Sequence, residues 1–213
     1  MILELVKNVT LLITLCWMHG MLMRCLEGRK LLGDISAGVL FGLVCIMGMA
    51  MPLTLADGLI FDGRTVVLSM AAFFGGPLVA VIAGGIAALF RWWLGGIGVM
   101  PGVLNVLMPI LMGLLYRHLH RRGWLPFNVL ALLIFAVLVQ VLQVLNLTLL
   151  PAERFAHFLQ VGLLPVVTVL LPSTLIMGLL LRDIEQQKIA REALRQSEAQ
   201  LRAITEAVPD LSL

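Results

Sequence analysis

Long, nearly uncharged apolar runs constrain this chain more than any other feature. A membrane-spanning helix needs about 20 consecutive apolar residues. Such runs cover Ile2 to Leu26, Leu31 to Ala56, Phe127 to Leu150 and Phe155 to Leu181, with a shorter one from Pro101 to Tyr116. A further region, Ile60 to Leu94, is too long for one span and is interrupted at Gly75-Gly76-Pro77. Proline removes a donor and glycine favours a turn, so the region reads as a short helix to Gly75 and a second helix from Pro77 to Leu94. The expected fold is an all-α integral membrane bundle of seven segments, one of them short. Six segments is the alternative if the Gly-Gly-Pro break is ignored.

Composition excludes the soluble classes. Of the 213 residues, 61% are hydrophobic and only 13% are charged. A soluble domain runs nearer about 45–50% apolar and about 25% charged, so lipid must solvate the excess. The net charge of +3 does not indicate nucleic acid, because the basic residues stand in short clusters between apolar runs. The first run lacks an A-x-A cleavage pattern and is expected to stay as a helix. Cys16, Cys25 and Cys45 form no C-x-x-C pair and read as packing residues.

Basic residues set the orientation. The cluster Arg117-His118-Leu119-His120-Arg121-Arg122 and the tail after Arg182 are separated by two segments, so both can be cytoplasmic. With seven segments Arg24, Arg29 and Lys30 also fall inside, and the N-terminus is periplasmic. Six segments place those three outside. Gly38 and Gly42, and Ala80, Gly84 and Ala88, form small-residue faces that let helices approach closely within a subunit or between two. Trp92, Trp93 and Trp124 suit the membrane interfaces.

Three separated motifs then stand in order: Phe61-Asp62-Gly63-Arg64, Phe73-Phe74-Gly75-Gly76-Pro77, and Phe90-Arg91-Trp92-Trp93-Leu94-Gly95-Gly96. They resemble the D-x-R, F-G-P and R-x-x-x-G-G pattern of the LytS/YhcK-type transmembrane receptor family over roughly Leu31 to Arg182. The doubled glycine before Pro77 departs from that pattern. The resemblance implies a sensory input module fused to a histidine kinase or a GGDEF-type diguanylate cyclase. The tail from Glu192 to Ile204, continuing into Ala207-Val208-Pro209-Asp210-Leu211, resembles the lead-in of a PAS domain, so the chain is expected to be the N-terminal part of a longer protein. The division is 1–30 for an additional N-terminal helix and loop, 31–182 for the sensor and 183–213 for a cytoplasmic linker. Leu194, Leu201 and Val208 repeat every seven residues, with Ile204 between them, which is a short coiled-coil seam and implies a homodimer. An amphipathic helix lying on the membrane is the plainer alternative.

No catalytic constellation, metal motif or cofactor motif is visible, so the expected partners are membrane lipid and a small ligand. Arg64 and Arg91 flank the hairpin through Gly75-Gly76-Pro77 and return to the same face, periplasmic in this topology. Arginines near the hydrocarbon are costly and are functional candidates by default. Their planar donor forks match a carboxylate. Asn105, Gln143 and Asn146, with His157 and Gln160, fall at similar depth, and Gly95, Gly96, Gly98 and Gly102 are expected to form a flexible lid. The resemblance places the family motifs on Asp62, Arg64, Arg91, Gly95 and Gly96. The plainer reading has Arg64 paired with Asp62 or Asp57 and Arg91 reaching to lipid headgroups. Two other functions compete. One is a transporter subunit similar to the substrate-binding subunits of energy-coupling-factor systems, and the other is a membrane anchor that only dimerises its output.

Overall fold

A computed structural model describes residues 2–50, 53–56, 59–61, 63–95, 99–126, 128–148, 156 and 166–207. Within them the chain forms α1 (Ile2–Cys25), α2 (Lys30–Ala50), a ribbon of β1 (Leu53–Ala56) and β2 (Leu59–Phe61), α3 (Arg64–Met70), α4 (Pro77–Leu94), α5 (Val99–Arg121), α6 (Val129–Leu147) and α7 (Leu171–Ala207). α3 continues into a π-helical turn at Ala71–Gly75, and a second π-turn at Val166–Leu170 leads into α7. Among the described residues five helices are long and apolar enough to cross a membrane, and two shorter apolar ones, Thr10–Cys25 and Arg64–Gly75, accompany them. The fold is therefore the all-α membrane bundle that the apolar runs imply.

One boundary differs from the sequence reading, and the continuation of the last helix into the tail does not. α2 ends at Ala50 rather than continuing to Ala56. Pro52 lies just beyond and cannot donate to a helical carbonyl. The chain then forms the antiparallel ribbon, with Leu53 opposite Phe61 and Thr54 opposite Ile60. At the other end, the last helix runs to Ala207 without a break at Leu181.

The short helix occupies the middle of the bundle. Every residue from Thr65 to Ala72 is at most 2% exposed. α3 touches α2, α4, α5, α6 and α7. After Arg64 the helix is mostly apolar, its Thr65 and Ser69 hydroxyls are hydrogen-bonded to Gln143 and the Val66 carbonyl, and protein rather than lipid surrounds it. The seven residues of α3 and the five of its π-turn rise roughly 18 Å at 1.5 Å per residue, well short of a hydrocarbon core of about 30 Å. Its neighbours face lipid instead, through residues such as Val81, Leu89, Leu111 and Leu130.

Small residues set the helix spacing. A Cβ on Gly38 would lie 2.7 Å from Ile82 Cβ, and one on Gly42 would lie 2.9 Å from Ile86 Cβ. The rising pairs 38–82 and 42–86 make α2 and α4 parallel neighbours, so this G-x-x-x-G face closes a contact inside the subunit. Gly84 receives Ile110 of α5 in the same way. Gly42→Leu is expected to force α2 from α4 and to lower stability by about 1–3 kcal/mol, the usual cost of overpacking. Thermal unfolding in detergent checks this, and an unchanged midpoint would count against the contact.

Candidate functional site

Two ends of the bundle carry polar groups. At the ribbon end, α5 and α6 bring together the amides expected from the sequence. Asn146 Nδ2 donates to Asn105 Oδ1 at 2.8 Å and to the Pro101 carbonyl at 2.9 Å. Thr65 Oγ donates to Gln143 Oε1 at 3.0 Å. All four side chains are buried. The cause is helical spacing: α6 turns Leu132, Phe135, Ala136, Val139, Gln143 and Asn146 inward, and Asn128 caps its start by accepting from the Ala131 N–H at 2.8 Å. Pro109 lies inside α5 and leaves the Asn105 carbonyl without its usual helical donor. The polar layer thus sits where the ladder of α5 is interrupted.

The layer is closed in this conformation. The cavity lined by Thr65, Asn105 and Gln143 measures about 10 Å³, room for one water at most. The two arginines stand at the same end of the bundle, each with its own local partner. Arg64 opens α3 and directs Nη1 to Met49 Sδ at 3.2 Å. Arg91, in the last turn of α4, donates from Nη1 to the Gly95 carbonyl at 3.2 Å. A Cβ on Gly102 would fall 2.2 Å from Arg91 Nε, so the arginine side chain lies directly over the α5 backbone. Gly102 is therefore a buried helical seat for Arg91 and not part of a lid. Gly95 has φ +65°, which favours glycine. Asp62, Gly96, Gly98, His157 and Gln160 lie outside the described residues.

Sequence reasoning missed Thr65 and, at the far end, Arg117. Arg117 donates from Nη1 to the carbonyls of Phe73 and Phe74, the latter at 2.6 Å. Those carbonyls end the π-turn, where Pro77 offers no N–H to Phe73. The corner itself needs glycine. Gly76 has φ +84° and ψ −167°, and a Cβ there would sit 3.1 Å from the Arg117 guanidinium. Gly113, one turn before Arg117, lets α5 lie against α3. A cation four residues after a glycine on one helix face, level with a Gly-Pro corner, was the available signal.

α7 links the bundle to its tail. Its N-terminal part is buried at Ser173, Thr174, Met177 and Leu181. Ser173 and Thr174 donate to the carbonyls of Val169 and Leu170 at 2.6 and 2.7 Å, which satisfies the π-turn beside Pro172. Further along, Leu194 and Leu201 are 60% and 61% exposed at seven-residue spacing. The side chain of Ile204 and the whole of Val208 lie outside the described residues.

A family model described as 5TMR of 5TMR-LYT matches residues 19–184, from within α1 to the middle of α7. No significant match was found among curated proteins or among solved structures.

Proposed function

Because the chain belongs to this 5TM receptor family, a transmembrane sensory module rather than a catalytic one, we propose that it senses a small anion, a carboxylate, at its ribbon end. The orientation follows the positive-inside rule: Arg24, Lys30, Arg117 and Arg121 gather at the cytoplasmic end, and the ribbon end with Arg64 and Arg91 is periplasmic. Trp92 and Trp93 at one end and Trp124 at the other are exposed, as interfacial tryptophans are.

The observation that carries the reading is the join between the polar layer and α7. α3 holds both Arg64 and Thr65, packs against α7, and hydrogen-bonds α6 through Gln143. An anion drawn to Arg64 and Arg91 acts on the helix at the centre of the bundle. A shift of α3 is then felt by α7, which runs without a break from the core to the exposed Leu194 and Leu201. The ligand must favour one of two packings, or no signal passes. Leu194, Leu201, Ile204 and Val208 pair two chains in a parallel seam, and the whole protein carries a PAS and GGDEF-type output in the bacterial inner membrane. Asp62 and Gly96 complete the site with Gly95, Asn105, Gln143 and Asn146.

Thermal shift of the purified protein against a panel of small carboxylates tests this. One acid is expected to stabilise the wild type. Arg64→Ala and Arg91→Ala are each expected to weaken it about tenfold or more, since a hydrogen bond to a charged group is worth roughly 1.5–3 kcal/mol. A shift that survives both changes leaves the arginines with a topological role and favours the membrane-anchor function.

A further inference from the structure

A cavity of about 440 Å³ opens at the end opposite the amide layer, between α1, α2, the Gly75–Pro77 corner, α5 and α7. Its size falls within the roughly 300–1,000 Å³ of small-molecule sites. Its walls carry more positive than negative charge. Arg24, Lys30, Arg117, Arg121 and Arg191 line it from four helices, against the carboxylates of Glu27, Asp34 and Glu185. Glu27 is already engaged by Arg195 at 2.8 Å. The remaining lining is apolar, with Leu78, Leu181 and Ile184 among it.

Two features of this cavity bear on what it can hold, beside the carboxylates of Glu185 and Asp34 that already face Arg117. Arg117 and Arg121 stand four residues apart on one face and repel each other. The Nε of Arg117 is buried with no hydrogen-bond partner, although Nη1 is used twice on the corner. The side chains of Lys30, Arg121 and Arg191 are exposed and make no hydrogen bond or ion pair with a described residue. An anion with several oxygens answers the surplus of basic side chains, Lys30 and Arg121 first; reaching the enclosed Nε of Arg117 requires that side chain to turn. Such an anion relieves the repulsion and accepts from the arginine forks, which match phosphate geometry.

We propose that this cavity binds a phosphate-bearing anion, its phosphate among Lys30, Arg117 and Arg121 and its less polar part over Leu78, Leu181 and Ile184. The phosphate belongs to an anionic phospholipid headgroup entering from the bilayer or to a soluble phosphate ester. Basic pockets between membrane helices on the cytoplasmic side suit such headgroups. Occupancy ties the α3–α4 corner to α7 through Arg117, a second input separate from the carboxylate end.

Native mass spectrometry of the whole chain in detergent, with phosphatidylglycerol against phosphatidylcholine, reads the lipid arm. Thermal shift with glycerol 3-phosphate reads the soluble arm. Selective retention of phosphatidylglycerol identifies a lipid headgroup, and a shift with glycerol 3-phosphate identifies a soluble ester. Lys30→Gln with Arg121→Gln is expected to weaken the effective probe roughly thirtyfold, as two basic residues at a lipid surface do. Leu78→Trp fills the cavity while leaving every charge, and is expected to weaken it as well. If neither probe binds, or binding is undiminished in both variants, the proposal fails. The carboxylate response is read independently, so either reading can fail alone.

Discussion

Arg117→Met is expected to lower stability by about 2–3 kcal/mol and to loosen the corner between α3 and α4. Methionine keeps the length of the side chain and removes its donors. The carbonyls of Phe73 and Phe74 then lose the guanidinium that satisfies them. Hydrogen bonds to charged groups are worth roughly 1.5–3 kcal/mol each, and an unsatisfied backbone group in a membrane costs several more. Arg117 is half-buried, so water recovers much of that loss, and the expected cost falls to about that of one such bond. Arg117→Lys is expected to fall between, because an ammonium cannot present a planar fork to two adjacent carbonyls. Thermal unfolding in detergent gives the energy, and hydrogen exchange at Gly76 and Ala80 gives the location. Their N–H groups bond to Ala72 and Gly76 and should exchange faster in the variant. An unchanged midpoint with unchanged exchange would show that water replaces the clasp at no cost.

Gly113→Leu is expected to do more damage, because what it meets cannot yield. A Cβ at this position would lie 2.3 Å from the Ser69 carbonyl oxygen, 2.8 Å from Ala72 Cβ and 3.2 Å from the Phe73 nitrogen. At Gly42 the obstacle is the Ile86 side chain, whose Cδ1 can swing away while its Cβ yields only if α4 shifts against α2. At Gly113 it is the backbone of a helix enclosed on all sides. Overpacking typically costs 1–3 kcal/mol, and losses above about 4 kcal/mol arise where no relaxation is open. The expected result is loss of the monodisperse folded species, with Gly113→Ala intermediate because its Cβ alone makes the clash. A Gly113→Leu protein that melts like the wild type would mean that α3 and α5 do not touch here.

Much of this architecture is legible in the sequence because lipid makes hydropathy decisive. The break at Gly75-Gly76-Pro77 was readable since Pro77 cannot donate and a neighbouring glycine must reverse the chain. The doubled glycine that departs from the family pattern has a local reason: Gly76 takes the positive φ, and a Cβ on Gly75 would lie 2.6 Å from Val79. The ribbon was not legible, because Leu53–Ala56 is as apolar as the helix before it and hydropathy cannot tell the two states apart. Nor was the burial of α3. Its sequence shows that it is short and apolar, but only packing shows that protein encloses it. Of the site, the similar depth of Asn105 and Asn146 was legible, but they were expected to line an outward-opening pocket, and their mutual hydrogen bond in a closed layer was not. Arg117 was hidden by its neighbours, since a clasp at the head of a basic cluster looks like one more topology signal.

The continuity of α7 makes it a lever. Its 37 residues extend roughly 55 Å, and the stretch from Ile184, packed on Gly20, to Ala207 accounts for roughly 35 Å. A tilt of about 5° at Ile184 moves the far end by roughly 3 Å, comparable to the separation of hydrogen-bonded atoms. The Glu27–Arg195 pair stands partway down that arm. While it holds, it acts as a second fulcrum and leaves a free arm of only roughly 18 Å. Arg195 is 64% exposed, and such a pair is worth about 0–1 kcal/mol. It can therefore open and close readily, and the gain of the lever follows the ionic strength of the compartment around it.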